Sequence, residues 1–465
     1  MNRSSFLKLT TSAAAFFGLG AATSHAAQLG ENDLQTLLQP PAKAKGNMAG
    51  FKAEPLAKVR IGLIGLGNRG STHCEVLKWM VQNERAEVVA LCDKVERKTR
   101  NCLTSILHYQ NNEPQIYFGS EDAWKKLCQQ TDIDLIIIST PWEWHAQMCV
   151  YAMEQGKHVA CEVPIACTIK ECWQLIEVSE RTQKHCIMLE NCCFNDEELW
   201  LMNMVHEGVF GELTHAEGAY LHDLRGLLLD KKYYEDQWRL KHHIGKNENL
   251  YTTHGLGPIA FYMGIGRGDT FTHLSSMSSL EHNLTLAAKK KGETISGFTQ
   301  GDMNTTLIKT MKGRSIMLQH DVHTGRPYSR INLLAGTRAV HDGYPSRLYV
   351  EPEEMKAWGH NWLNETEYNK MWDTYLPSVW TKLKEQIKDN EFAHGGMDFV
   401  MLYRLVACLN QGLPLDINLY DGVMWSAITP LSGLSVKNNS ASIKVPDFTG
   451  GKWKQERPLE VLREV

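Results

Sequence analysis

The body of this chain lacks any run of about 18 apolar residues, the length a membrane-crossing helix needs, so nothing beyond its N-terminus is built to span a bilayer. It lacks internal repeats, which excludes solenoids and propellers. It lacks an excess of charge as well: 49 basic and 53 acidic residues leave a net charge of -4, which argues against nucleic acid as a partner. The 12 cysteines show no C-x-x-C spacing, and several fall inside predicted strands and helices. Cys192 and Cys193 are adjacent, and a bridge between neighbours strains the backbone well away from usual disulfide geometry. Buried free thiols are therefore expected, because cysteine behaves as a small hydrophobe. What the chain does have is length: 465 residues suggest two domains and a core large enough to need no covalent staples.

Residues 1–27 read as a targeting segment. Arg3 and Lys8 precede an apolar run at 13–22, and Ser24 and Ala26 flank His25 in an A-x-A-like site, so cleavage is expected near Ala26 or Ala27. Residues 3–8 (RSSFLK) are similar to a twin-arginine signal, with Ser4 in place of the second arginine. The protein is accordingly expected to be exported, periplasmic or secreted. Residues 28–58 are polar and carry Pro40, Pro41 and Gly46, the composition of a linker or a surface arm.

The strongest signal follows. An apolar β-prone run at 59–64 enters a G-x-G-x-x-G turn at Gly65, Gly67 and Gly70, and a helical pattern comes next. The first glycine permits the tight turn and the second lets the backbone approach a pyrophosphate. The third lets the helix pack closely while its N-terminus faces the phosphates. A second strand at 86–92 ends in Asp93, 26 residues after Gly67, close to the spacing of an acid that accepts from a ribose 2′-OH and repels a 2′-phosphate. NAD is thus favoured over NADP. Further strands at 115–118, 133–140, 158–161 and 186–190 alternate with helices at 96–108, 146–155 and before 186. Six β-elements in βαβ order imply a parallel doubly wound sheet. Trp142, Glu143, Trp144 and His145 follow the continuous apolar strand at 133–140, at the sheet edge where ligands bind, although core packing is the alternative for the tryptophans.

Beyond Leu199 the pattern becomes strand-like at 214–222, 272–280, 305–311, 315–322 and 328–334, with a hairpin turn at Lys312 and Gly313. Helices are expected at 396–410 and from about 419, the latter containing Pro430, and an irregular tail at 438–465 that wraps back onto the body. The fold class is α/β: an N-terminal Rossmann doubly wound parallel sheet (59–192) plus a C-terminal α+β substrate and catalytic domain (193–465) with an open antiparallel sheet. That sheet is where any homo-oligomer would form. Period-two alternation places Tyr220 and His222 on one face of the strand at 214–222. Downstream, Trp238, Arg239, Tyr251, His254, Arg326 and Tyr328 fall in segments rich in breakers. Each alone has a plain structural explanation.

Together, several motifs resemble those of one family. The glycine turn, the E-x-P turn at Glu162 and Pro164 and the antiparallel second domain are similar to the glucose-fructose oxidoreductase and inositol dehydrogenase superfamily. Within it, residues 140–145 (TPWEWH), 189–192 (LENC), 220–225 (YLHDLR), 251–258 (YTTHGLGP), 325–330 (GRPYSR) and 394–399 (HGGMDF) resemble glycoside hydrolase family 109, the NAD-dependent α-N-acetylgalactosaminidases. The resemblance implies NAD against Asn68, Arg69, Asp93, Trp142, Glu143, Trp144, His145, Glu162, Val163 and Asn191. It implies a sugar against Tyr220, Arg239, Tyr251, Thr252, Thr253, His254 and Tyr328, with Glu190 and His222 nearby. Val163 stands where the wider superfamily has lysine, which counts against a simple dehydrogenase. Thr252 stands where the family commonly has proline.

Conventional glycosidases need a pair of carboxylates across the scissile bond, and NAD-dependent enzymes are exceptions. The implied route oxidises sugar C3, acidifies the C2 proton, expels the aglycone from C1, adds water and returns the hydride, with no metal. His254 is expected to handle the C3 hydroxyl proton. Tyr220 is expected to serve at C2 if Arg239 or the cofactor ring depresses its phenol, and Tyr251, Arg239 and Tyr328 are expected to hold substituents. The expected partner is a small-molecule or glycan substrate. A sugar dehydrogenase, a non-catalytic NAD sensor and a hydrolase of another sugar are the alternatives.

Overall fold

A computed structural model describes residues 46–352 and 361–465, so the targeting segment and the start of the arm lie outside the described residues. The described part of the arm is tied down: Met48 is buried with its N–H donated to the Tyr420 hydroxyl, and the Leu56 N–H reaches the Leu409 carbonyl.

The first sheet contains β1 (Val59–Ile64), β2 (Ala86–Cys92), β3 (Gln115–Tyr117), β4 (Leu135–Ile138), β5 (His158–Cys161) and β6 (Cys186–Met188), all parallel, in the order β3-β2-β1-β4-β5-β6. The order reverses between β1 and β4, which opens a crevice at their C-terminal ends. Every residue of β4 is buried, because helices cover both faces of a parallel sheet. The helix after β4 begins at Trp142, a turn earlier than its apolar pattern suggests. Extended Pro141 precedes it and Glu143 in the first turn complements the dipole. Trp142 through His145 therefore sit on a helical turn at the rim of the crevice.

The second sheet contains β7 (Leu213–Leu221), β8 (Phe271–Ser278), β9 (Asn304–Thr310), β10 (Ser315–Asp321), β11 (Leu333–Gly336), β12 (Ala339–Gly343), β13 (Ser346–Val350) and β14 (Ile443–Lys444), in the order β13-β12-β11-β7-β10-β9-β8-β14. It is antiparallel throughout except for the β7 and β10 pair, which runs parallel because the β8 and β9 excursion returns the chain in the original direction. The strand expected at 328–334 starts only at Leu333. Pro327 precedes it and Ile331 and Asn332 have φ of 62° and 54°, so residues 328–332 form a loop joined to the sheet by a bridge between Leu221 and Ser329 and by the Gly343 N–H, which donates to the Ile331 carbonyl at 3.1 Å. The tail wraps back as expected, through β14 on β8.

Helix Thr253–Tyr262 lies directly on β7. A Cβ on Gly255 would stand 2.5 Å from the Ala219 nitrogen, so only glycine permits that approach. Helix Leu419–Lys437, which tolerates Pro430, packs on both β8 and helix Ile169–Thr182, and helix Met397–Gln411 returns to the nucleotide sheet. The 12 cysteines are free thiols, all but Cys167 buried.

Candidate active site

A cavity of about 990 Å³ runs from the crevice of the parallel sheet to the start of helix Thr253–Tyr262. At its nucleotide end Gly65 has φ of 85°, and a Cβ on Gly70 would stand 1.9 Å from the Gly65 carbonyl oxygen. Gly70 is thus buried support for the turn and does not line the cavity. Gly67 does line it, and nothing stands within 4 Å of where its Cβ would project. No side chain caps helix Asn68–Val76, so its first N–H groups are open to an anion. Asp93 is tied into the turn: Oδ2 accepts from the Leu66 N–H and Oδ1 from the Val95 N–H, both at 2.8 Å. These residues fit a dinucleotide, with room above Gly67 for the pyrophosphate and a fixed acid beside the ribose position.

Asn68, Arg69, Asp93, Trp142, Glu143, Trp144, His145, Glu162, Val163 and Asn191 all line this cavity. Several are less free than the sequence suggests. The Arg69 guanidinium binds Glu162 at 2.8 Å and Asp398 at 2.7 Å, and Asn191 donates to Asp398 at 2.7 Å. Burial pushes the Glu162 carboxyl up, but Arg69 and His73 outweigh it and hold it at about 2. Arg69 and Glu162 are therefore charge-satisfied by one another, and Asp398, from the HGGMDF word, closes the network. The His145 ring nitrogens each lie 2.7 Å from a carbonyl, of Thr140 and Pro164, so this side chain braces the loops after β4 and β5.

At the other end His254 Nδ1 lies 2.6 Å from Glu190 Oε1, which also accepts from the Cys192 N–H. Glu190 is fully buried; burial pushes its carboxyl up, and His254 pulls it below the usual range. With Nδ1 held by the carboxylate, Nε2 is the imidazole nitrogen left for a ligand. Tyr220, Tyr251 and His254 form one aromatic group, with centroids 4.6 Å apart for the tyrosines and 4.8 Å for Tyr251 and His254. The alternation along β7 holds: the Tyr220 hydroxyl is 3.2 Å from His222 Nδ1, and both line the cavity.

Arg239 is buried with its guanidinium carbon 4.9 Å from the Tyr251 ring centroid and 5.1 Å from that of Trp142, and it donates to the Tyr234 hydroxyl at 3.0 Å. No carboxylate forms an ion pair with it among the described residues. Its Nε is buried without a hydrogen-bond partner among those residues, which leaves this caged cation a donor for an acceptor atom on a ligand.

Three expectations need correction. The Tyr220 phenol is not depressed: burial pushes it up and the pull of Arg239 does not overcome that. Thr252 turns away from the cavity, its Oγ1 donating to the Trp425 carbonyl at 2.9 Å, because helix Leu419–Lys437 covers that side. Thr253 is buried at the helix start and does not line the cavity. Tyr328, carried by the loop that replaces the expected strand, is 38% exposed and lies beside the aromatic group, its ring centroid 6.0 Å from that of Tyr220 and 5.2 Å from that of His222. Sequence alone gives no role to Tyr234, to Asp398 or to the pairing of Glu190, none of which has a local spacing signal.

Residues 59–190 match the oxidoreductase family with an NAD-binding Rossmann fold, and residues 194–455 match the C-terminal domain of glycosyl hydrolase 109. An alpha-N-acetylgalactosaminidase of Shewanella oneidensis is 42% identical over 428 residues, 91% of this chain and 92% of that one. A glycosyl hydrolase family 109 protein of Shewanella baltica is 41% identical over 467 residues, 99% of each chain. Among solved structures, levoglucosan dehydrogenase in complex with NADH superposes with a TM-score of 0.63 at 16% identity, over 84% of this chain and 99% of that one. An NAD binding oxidoreductase from Klebsiella pneumoniae gives 0.63 at 17%, with the same coverage. At that identity the two structures show a shared fold alone. The relatives and the family match together are decisive: this chain has an NAD-binding Rossmann domain and belongs to glycosyl hydrolase family 109.

Proposed function

We propose that the protein removes terminal α-N-acetylgalactosamine from glycans with one NAD that stays bound and is restored in each turnover. The observation that carries this reading is that one cavity holds both the glycine turn and a carboxylate-oriented histidine. NAD in that cavity would take the C3 hydrogen of the sugar as hydride and return it at the end of the cycle. His254 Nε2 takes the C3 hydroxyl proton while Glu190 holds Nδ1 and offsets the imidazolium charge. With C3 a ketone, the C2 proton is acidic; the Tyr220 hydroxyl, kept neutral by burial, accepts it only as it hands its own proton to His222 Nδ1, so that no phenolate forms, and burial together with Arg239, which lower His222, make this the demanding step. The aglycone then leaves from C1, water adds, and the same side chains return the protons. Arg239 and Tyr251 form the wall that orients the ring, and Val163 leaves the position of the dehydrogenase lysine without charge.

NAD is expected to co-purify with the protein, and its complete removal to abolish hydrolysis of a chromogenic α-N-acetylgalactosaminide, measured with no added electron acceptor. Activity that survives removal overturns the proposal. Release of sugar only when an acceptor is supplied would favour the dehydrogenase.

Two further readings belong here. Export, with loss of the first 27 residues or so, is supported by the leader pattern, and N-terminal sequencing of the mature protein tests it. A homo-oligomer through the open sheet face is supported by Met277 and Leu307, 65% and 55% exposed on adjacent strands. Light scattering of the wild type and of Leu307→Lys decides it: a monomeric wild type ends the idea.

A further inference from the structure

At the nucleotide end of the cavity stand side chains that the reaction does not use. Lys94 directly follows Asp93, and Lys98 lies in the first turn of helix Glu96–Leu107; both line the cavity. Each meets a carboxylate delivered by the second domain. Asp236 Oδ2 accepts from Lys94 Nζ at 3.2 Å, and Glu235 accepts from Lys98. Asp236 and Gln237 adopt φ of 57° and 50°, a left-handed turn that leads straight into Trp238 and Arg239. That segment is anchored on the nucleotide domain, because the Trp238 ring lies 5.4 Å from that of Trp142 and the Arg239 guanidinium carbon lies 5.1 Å from the centroid of the same ring. The two acids are therefore held over the ribose end of the site by the same turn that presents the sugar-side arginine.

For stability these ion pairs count for little. The side chains are 53% and 68% exposed in one pair and 24% and 45% in the other, and pairs of that exposure contribute about 0–1 kcal/mol. Their local charge matters more. A 2′-phosphate placed where the ribose meets Asp93 would find two lysines one and five positions further along the chain. Cations there are what NADP sites use. Asp93 alone is an incomplete barrier, since it sets one negative charge against two lysines.

We infer that Glu235 and Asp236 are specificity-determining residues through which the second domain selects NAD over NADP, by occupying Lys98 and Lys94. The inference rests on the reading that this cavity holds NAD. Removing the two negative charges would free both lysines for the phosphate and remove repulsion from it in the same step.

The test uses the holoenzyme as purified. Wild type, Glu235→Gln, Asp236→Asn and the double variant are incubated with equal excess isotope-labelled NAD+ and NADP+ until labelled NAD has replaced the resident cofactor in the wild type, freed of unbound nucleotide and denatured, and the released labelled dinucleotides are quantified by chromatography. The double variant is expected to raise the retained NADP to NAD ratio about tenfold, with the single variants between. Adding Lys94→Ala and Lys98→Ala to it should return the ratio to that of the wild type. NAD retained at an unchanged ratio in the double variant overturns this inference alone, as does a raised ratio that persists without the lysines. A wild type that retains neither dinucleotide overturns the NAD reading with it.

Discussion

Replacing His254 with alanine is expected to lower turnover by at least ~100-fold, the low end for general acid–base catalysis, while the protein still folds and holds NAD. The reason is the position of its two nitrogens. Nδ1 is 2.6 Å from Glu190, whose carboxylate lies fully out of water, so the imidazole is held in one orientation with Nε2 left to the substrate. Such an arrangement favours proton uptake at Nε2, because the carboxylate stabilises the charge that develops. Alanine also leaves Glu190 as an unpaired buried charge, which is costly, so thermal unfolding must be measured alongside turnover. Glu190→Gln separates the two effects. It keeps a hydrogen-bond acceptor for Nδ1 and removes the charge, and it should lower kcat more than it raises KM. Near-normal turnover in His254→Ala would return this histidine to a structural role.

Hydrolysis of an α-N-acetylgalactosaminide in heavy water is expected to give product carrying close to one deuterium at C2 and little at C3, with no rise in free NADH. The C2 hydrogen leaves as a proton and is replaced from solvent when water adds. The C3 hydrogen travels as hydride and returns to the same sugar while the ring stays bound. Direct displacement at C1 by a carboxylate pair would leave C2 untouched. A net dehydrogenase would accumulate oxidised sugar. Product that keeps its original C2 hydrogen sinks the elimination route even if NAD is present.

The nucleotide site was largely legible from the sequence because its determinants are local. A strand, a glycine turn, a helix start and an acid at the end of the next strand follow one another within 35 residues, from Val59 to Asp93, and each constrains only its neighbours. The alternation that put Tyr220 and His222 on one face is equally local, and it held. The loop at 328–332 was misread because apolar alternation there outweighed Pro327, and positive φ at Ile331 and Asn332 is a property the residue types do not announce.

By itself, then, the sequence determined the doubly wound sheet with the order of its elements and the dinucleotide turn, and through the family resemblance a part of the cavity lining. Tertiary structure alone decided how they are used. Glu190 and His254 are 64 residues apart and Arg69 and Asp398 are 329 apart, and no periodicity links such positions. The first pair meets because Gly255 lets a helix lie on β7 beside the end of β6, and the second because helix Met397–Gln411 returns to the nucleotide sheet. The state of Tyr220 belongs to the same class: its type suggests an activated phenol next to arginine, whereas burial, a property of the whole packed assembly, raises its pKa and keeps it neutral, and the same burial with Arg239 lowers His222.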